Sequence, residues 1–380
     1  MYNSEEIKEY VKENIDEVYK IIYDLCQIPA PSHHEERRAE YCKAWFDKNV
    51  MPGAYIDEAL NVILPYQADE SSELTVAVAH TDTVFPDMEP MPYVDDGEYI
   101  RSPGVGDDTA SLAVLMLVAK YFKEKDVKTD GMLFVANSCE EGLGNLKGTR
   151  QIFKDFEGKI RLFVSFDAKI GGITARCVGS HRYEVEVTTQ GGHSWGAFGN
   201  KNALAELSSI ITDIYSIELP KKEGKKVTYN VGIVSGGTSV NTIAQSAKML
   251  CEYRSDDVEL LAFMEKRFND IFKSKESEDV KVNVTLVGNR PCESGVNEEE
   301  RERLKTICAN VLKEVTGKDA RFGAGSTDCN IPLSIGVPAI CFGVYTGGGT
   351  HTREEWIDKK SVVPGLEIGI KTMLELKERK

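Results

Sequence analysis

Apolar positions along the first 178 residues change period repeatedly. Apolar residues spaced three and four apart predict helices over about 4–27, 34–49, 110–125 and 145–156. Between and after these helices lie short, near-continuous apolar runs: NVILPY (61–66), LTVAVA (74–79), MLFVAN (132–137) and RLFVSF (161–166). A run without alternation is what a strand buried on both faces requires. Strands alternating with helices predict an α/β domain with a mixed, largely parallel sheet.

From about residue 179 the pattern changes. YEVEVTT (183–189) and KVTYNVGIV (226–234) alternate apolar with polar, as half-buried antiparallel strands do. KMLCEYR (248–254) and VKVNVTLV (280–287) are further strands, separated from the others by helices near 202–215 and 257–273. The α/β pattern returns after RPCESG (290–295), with a helix at about 297–316, the strand PAICFG (338–343) and a closing helix near 361–377. The organisation expected is one discontinuous domain, 1–178 with 290–380, interrupted by an α+β insert at 179–289.

Composition narrows the functions open to the chain. With 380 residues and a formal net charge of -15, it lacks the clustered Lys and Arg that phosphate contacts need, so nucleic acid is not the expected partner. No apolar run reaches the roughly 18 residues of a membrane span. The N-terminus is acidic and amphipathic, without the basic start and apolar segment of a signal peptide. Nine cysteines without a CxxC pair fit reduced, buried thiols and a cytoplasmic location.

The candidate chemistry lies where the apolar runs end. His80 and Asp82 follow the run 74–79, and their i, i+2 spacing aims both side chains to one side of an extended backbone. Asp107 and Asp108 sit between Gly104-Val-Gly106 and an apolar helix, where an Asp could equally cap that helix. Glu140 and Glu141 follow the run 132–137, and a solvated acidic turn is the bland alternative there. Asp167 ends the run 161–166, and His351 lies in the glycine-rich loop TGGGTHTR. Ligands bind at the C-terminal ends of strands in open α/β sheets. His80, Asp107, Glu141, Asp167 and His351 could build a two-metal site. A sensible division gives one ion His80 and Asp167, the other Glu141 and His351, with Asp107 bridging.

Taken in order, HTD (80–82), GDD (106–108), EEG (140–142), FD (166–167) and GGGTH (347–351) resemble the M20 metallopeptidase family. The resemblance extends to the insert, where GGHSWGAF (191–198) and NTIAQSAKMLCEYR (241–254) look like that family's ferredoxin-like lid or dimerisation domain. It implies two divalent ions per chain, zinc by default with cobalt or manganese as alternatives. It also implies that Asp82 orients His80 and that Glu140 is the general base acting on a metal-bridging water. His193 would help stabilise the oxyanion, often in a neighbouring subunit's site, with Asn241 near the substrate and Arg254 receiving a substrate carboxylate. A homodimer through the lid follows from the same resemblance. Asp at 167 is more like the aminopeptidase and tripeptidase branch. Thr109 departs from the Lys common in peptidase T-like members, which bears on substrate recognition. The activity expected is hydrolysis of small peptides. The alternatives are an N-acyl-amino-acid amidohydrolase, which would use the same residues, and, more remotely, a catalytically silent binding or scaffold protein.

Overall fold

The computed structural model describes residues 3–142 and 144–378. The chain forms two compact units, Met1–Cys177 with Gly295–Lys380, and Val178–Ser294.

The first unit is built on an eight-stranded sheet. Its strand order is Tyr55–Ile56, Val62–Tyr66, Met132–Asn137, Leu74–His80, Ile160–Ser165, Ala339–Phe342, Gly172–Cys177, Arg321–Gly325. The central strands pair in parallel, whereas Tyr55–Ile56, Val62–Tyr66 and the junction of Ala339–Phe342 with Gly172–Cys177 are antiparallel. The unbroken apolar runs have the expected cause. In Leu74–His80, Ala77 and Ala79 enter one core while Val76 and Val78 enter another on the opposite face. On the first face lie the helices Ser4–Cys26, Ser111–Glu124 and Val362–Leu376, whose apolar residues fill the larger core. Ser111–Glu124 is apolar nearly all round because it is buried nearly all round. Asn3 caps the first helix by accepting hydrogen bonds from the Glu5 and Glu6 N–H groups.

Some elements do not stand out in the apolar pattern. Gly172–Cys177 and the exposed, glycine-containing edge strand Arg321–Gly325 pair in parallel at the end of the sheet. A second, small sheet orders Gly347–Gly348, Trp356–Asp358, Tyr99–Arg101 and Val94–Asp95.

The second unit has an antiparallel sheet ordered Val227–Gly236, Ser246–Ser255, Gly179–Thr189, Val280–Arg290. Alternation follows from one-sided cover. Val185, Val187, Met249 and Cys251 point into a core shared with the helices Ala203–Tyr215 and Val258–Ser274. This unit runs to Ser294 rather than to 289, because the last strand continues to Arg290 and Cys292 packs into the same core. All nine cysteines are free and buried. Among the described residues, no helix is long and apolar enough to cross a membrane.

Candidate metal centre

Three neighbouring parallel strands bring the chemistry together. Leu74–His80 lies between Met132–Asn137 and Ile160–Ser165, with His80 opposite Asn137 and Val78 opposite Ser165. The chain leaves all three at their C-terminal ends, on the same side of the sheet, so His80, the Glu140-Glu141 turn and Asp167 converge. Donor atoms of His80, Asp107 and Glu141 lie within 4.8 Å of one another, as do those of His80, Glu140 and Asp167. Glu140 therefore stands as near His80 and Asp167 as a ligand would. The Asp107 carboxylate faces two imidazoles. Its Oδ1 lies 3.1 Å from His80 Nε2 and its Oδ2 lies 3.1 Å from His351 Nε2. His351 Nε2 is also 3.1 Å from Glu141 Oε1. His80, Glu140 and Glu141 are buried and Asp167 half-buried, while His351 approaches from the solvent side with 53% of its side chain exposed.

Backbone groups hold this geometry. The Asp82 carboxylate accepts the Glu140 N–H at 2.9 Å, the Glu141 N–H at 3.0 Å and the Ser32 hydroxyl at 2.6 Å. Its Oδ1 is 3.4 Å from His80 Nδ1, while the Asp82 carbonyl oxygen lies closer to that nitrogen, at 3.0 Å. Asp82 thus ties the turn that carries the glutamates to the imidazole. Asp108 accepts the His80 N–H at 3.0 Å, and the following helix has Ala110 at its start with no side-chain cap. The capping alternative therefore does not apply to Asp108. Glu35, fully buried, accepts the Cys139 N–H at 3.0 Å just before the Glu140-Glu141 turn. Arg38, also buried, donates to the Thr81 carbonyl at 2.9 Å and reaches the Thr109 hydroxyl at 3.3 Å. Ser32, Glu35 and Arg38 leave no spacing signal in the sequence, because each acts on residues far along the chain.

The electrostatics follow from burying acids and imidazoles side by side. Burial opposes a charge on His80, yet Asp108, Asp107 and Asp82 together hold its pKa well above the usual imidazole range. Hydrogen bonds to Asp107 and Glu141 raise His351 to about 10. Burial pushes Glu141 up to about 7, and burial followed by the charges of Asp107 and Asp108 pushes Asp167 well above the carboxylate range. Burial works against the charge on Asp107, but hydrogen bonds from His351 and His80 outweigh it and hold the group low. Imidazoles and carboxylates with converging, partly buried oxygen and nitrogen atoms are a donor set suited to divalent ions.

The second unit carries the other predicted residues. His193 is exposed, in a short pairing of Gly192–His193 with Thr242–Ile243. Its Nδ1 accepts the Trp195 and Gly196 N–H groups at 3.2 and 3.3 Å, so the neutral ring carries its proton on Nε2. Asn241 is exposed. Its carbonyl accepts the Ser194 N–H at 3.0 Å, tying it to the His193 loop. Arg254 makes a two-point contact with Glu252, Nε at 2.8 Å and Nη2 at 3.0 Å.

Comparison with known proteins gives a consistent result. A succinyl-diaminopimelate desuccinylase of Corynebacterium glutamicum is 24% identical over 343 residues, covering 87% of this chain and 89% of the relative. Carboxypeptidase G2 of Pseudomonas sp. (strain RS-16) is 24% identical over 310 residues, covering 79% and 73%. The crystal structure of aminopeptidase PepT from Bacillus cereus superposes with a TM-score of 0.72 at 19% identity, covering 96% of this chain and 99% of that one. Peptidase family M20/M25/M40 matches residues 76–375, a span that includes His80, Asp107, Glu141, Asp167 and His351, so the chain belongs to that family and is a hydrolase.

Proposed function

We propose that the protein is a two-metal peptidase acting on di- or tripeptides, with His80, Asp107, Glu141, Asp167 and His351 as ligands. One observation carries this reading: the two oxygens of Asp107 face two different imidazoles, as a carboxylate shared between two ions would. Zinc is the ion the imidazoles suit, with cobalt or manganese as alternatives. When bound, such ions supply Lewis acidity and lower the pKa of water in the site. The chain's own groups do the rest. Glu140 takes the proton from the attacking water and returns it to the leaving amine. Asp82 holds both the His80 ring and the backbone of Glu140, so the base and the ligand keep a common frame. The Nε2–H of His193 is a donor suited to a developing oxyanion.

In this reading the second unit, 179–289 in the sequence-based boundaries, serves as lid and dimerisation domain. Asn241 lies beside the substrate, Arg254 receives its carboxylate, and His193 acts in the site of the other chain of a homodimer. The cytoplasm is the proposed location. A second reading is an N-acyl-amino-acid amidohydrolase, favoured by similarity to a protein named for removing a succinyl group. Turnover of Ala-Ala-Ala, Gly-Leu and N-acetyl-Leu by the purified, metal-loaded protein separates the two. Faster cleavage of the free peptides supports the peptidase. Preference for N-acetyl-Leu overturns it in favour of the amidohydrolase.

A further inference from the structure

Glu355 lies in the same loop as His351, beyond the glycine-rich stretch, and is 1% exposed. Its carboxylate reaches across to the loop that carries Asp107. Oε2 accepts the Gly104 N–H at 2.7 Å, and Oε1 accepts the N–H groups of Gly106 at 3.0 Å and Asp107 at 2.9 Å. The Glu355 carbonyl accepts the Ser102 N–H at 3.2 Å, so side chain and main chain grip one loop. The next residue, Trp356, pairs with Arg101 in the small antiparallel sheet. The fit is tight. A Cβ on Gly106 would lie 2.9 Å from Glu355 Oε1 and 2.7 Å from the Tyr345 ring.

Burying a carboxylate costs free energy that charge-assisted hydrogen bonds must offset. Among the described residues those bonds come from the loop holding the proposed bridging ligand, and no arginine or lysine pairs with the carboxylate. The geometry points to Glu355 as a positioning residue for the metal pair. It fixes the backbone of Asp107 and ties that loop to the one presenting His351, so two of the three groups that would hold the second ion, Asp107 and His351 but not Glu141, are linked through one side chain. This inference rests on the two-metal reading. It adds a group that neither ligates nor moves a proton.

The test is cobalt binding by the full-length protein, followed by visible absorbance against a competing chelator, in wild type, Glu355→Gln and Glu355→Ala. Gln keeps the size but presents an NH2 group to a ladder of donors, so it cannot accept all three hydrogen bonds. Groups that orient metal ligands are typically worth about 10–100-fold in affinity. Glu355→Gln is expected to weaken at least one cobalt ion by about that factor. At saturating metal, kcat should fall while the peptide KM stays within about twofold, since the group does not touch substrate. A purely structural role would instead lower the melting temperature of the metal-free protein and leave cobalt affinity unchanged. If Glu355→Ala fails to fold, the isosteric Gln variant still decides. Unchanged cobalt affinity and kcat in Glu355→Gln overturn the inference alone. A wild-type protein that takes up no cobalt overturns the two-metal reading and the inference with it.

Discussion

The two units hold their polar residues in opposite ways. In the first, His80, Asp82, Asp108, Glu140 and Glu141 are buried, and hydrogen bonds between backbone N–H groups and neighbouring acids fix them. In the second, His193 and Asn241 are exposed, and Arg254 is half-buried against a single carboxylate. The contrast follows from the sheets. A sheet covered on both faces offers polar side chains only its strand ends, where several converge in a small volume. A sheet covered on one face leaves a whole side for polar residues, which stay dispersed and solvated. Preorganised groups at the first place suit chemistry, and adaptable groups at the second suit recognition.

Substitutions should separate the two regions by size and kind of effect. Asp107→Ala should be the most damaging, because losing a shared carboxylate leaves two cations to repel each other. Near-complete loss of activity and of at least one ion is expected. A variant that still binds two ions per chain with unchanged affinity, measured by metal analysis, would show that Asp107 does not bridge.

Glu140→Gln should keep the metal content and most substrate binding while lowering kcat by the roughly 10²–10⁴-fold typical of a general base. Because Glu140 stands close to His80 and Asp167, metal analysis of the same variant also shows whether it ligates. Loss of an ion would move Glu140 from base to ligand.

Recognition should respond differently. Arg254→Ala should raise KM by about 10–150-fold for peptides with a free C-terminal carboxylate, the worth of a charge-assisted hydrogen bond of about 1.5–3 kcal/mol. The effect should be much smaller for the corresponding amides. Equal losses for acids and amides would make the contact with Glu252 structural and remove the difference in kind between the two units.

The smallest signal concerns His193. Mixing Glu140→Ala and His193→Ala chains through reversible unfolding should restore about a quarter of wild-type activity if His193 serves the partner chain's site of a two-fold dimer. Half of the dimers are then mixed, and each has one competent site of its two. No recovery, or a strictly monomeric protein in sedimentation, would show that His193 acts only within its own chain.

Much of this was legible in the chain. The unbroken runs at 74–79, 132–137 and 161–166 correspond to Leu74–His80, Met132–Asn137 and Ile160–Ser165, and the alternation at 183–189 lies within Gly179–Thr189. Donor atoms of His80, Glu140 and Asp167, and of His80, Asp107 and Glu141, lie within 4.8 Å of one another around the ends of these strands. The strand Arg321–Gly325 escaped notice because it is short, exposed and contains glycine, so no apolar period marks it. Ser32, Glu35 and Glu355 escaped for another reason. Each acts through hydrogen bonds to parts of the chain that are distant in sequence, and a single acid or hydroxyl in a loop carries no period or spacing.

By itself, then, the sequence determined which segments are buried on two faces and which on one, because solvent exposure imposes a period on the side chains. It also determined which acids and imidazoles end the buried strands. Tertiary structure alone decided that Asp107 faces both His80 and His351, that Asp82 holds the backbone of the glutamate turn, and that Glu355 clamps the Asp107 loop. Those contacts depend on backbone direction and on distances of a few ångströms between remote segments, and only the packed sheet and its connections set them.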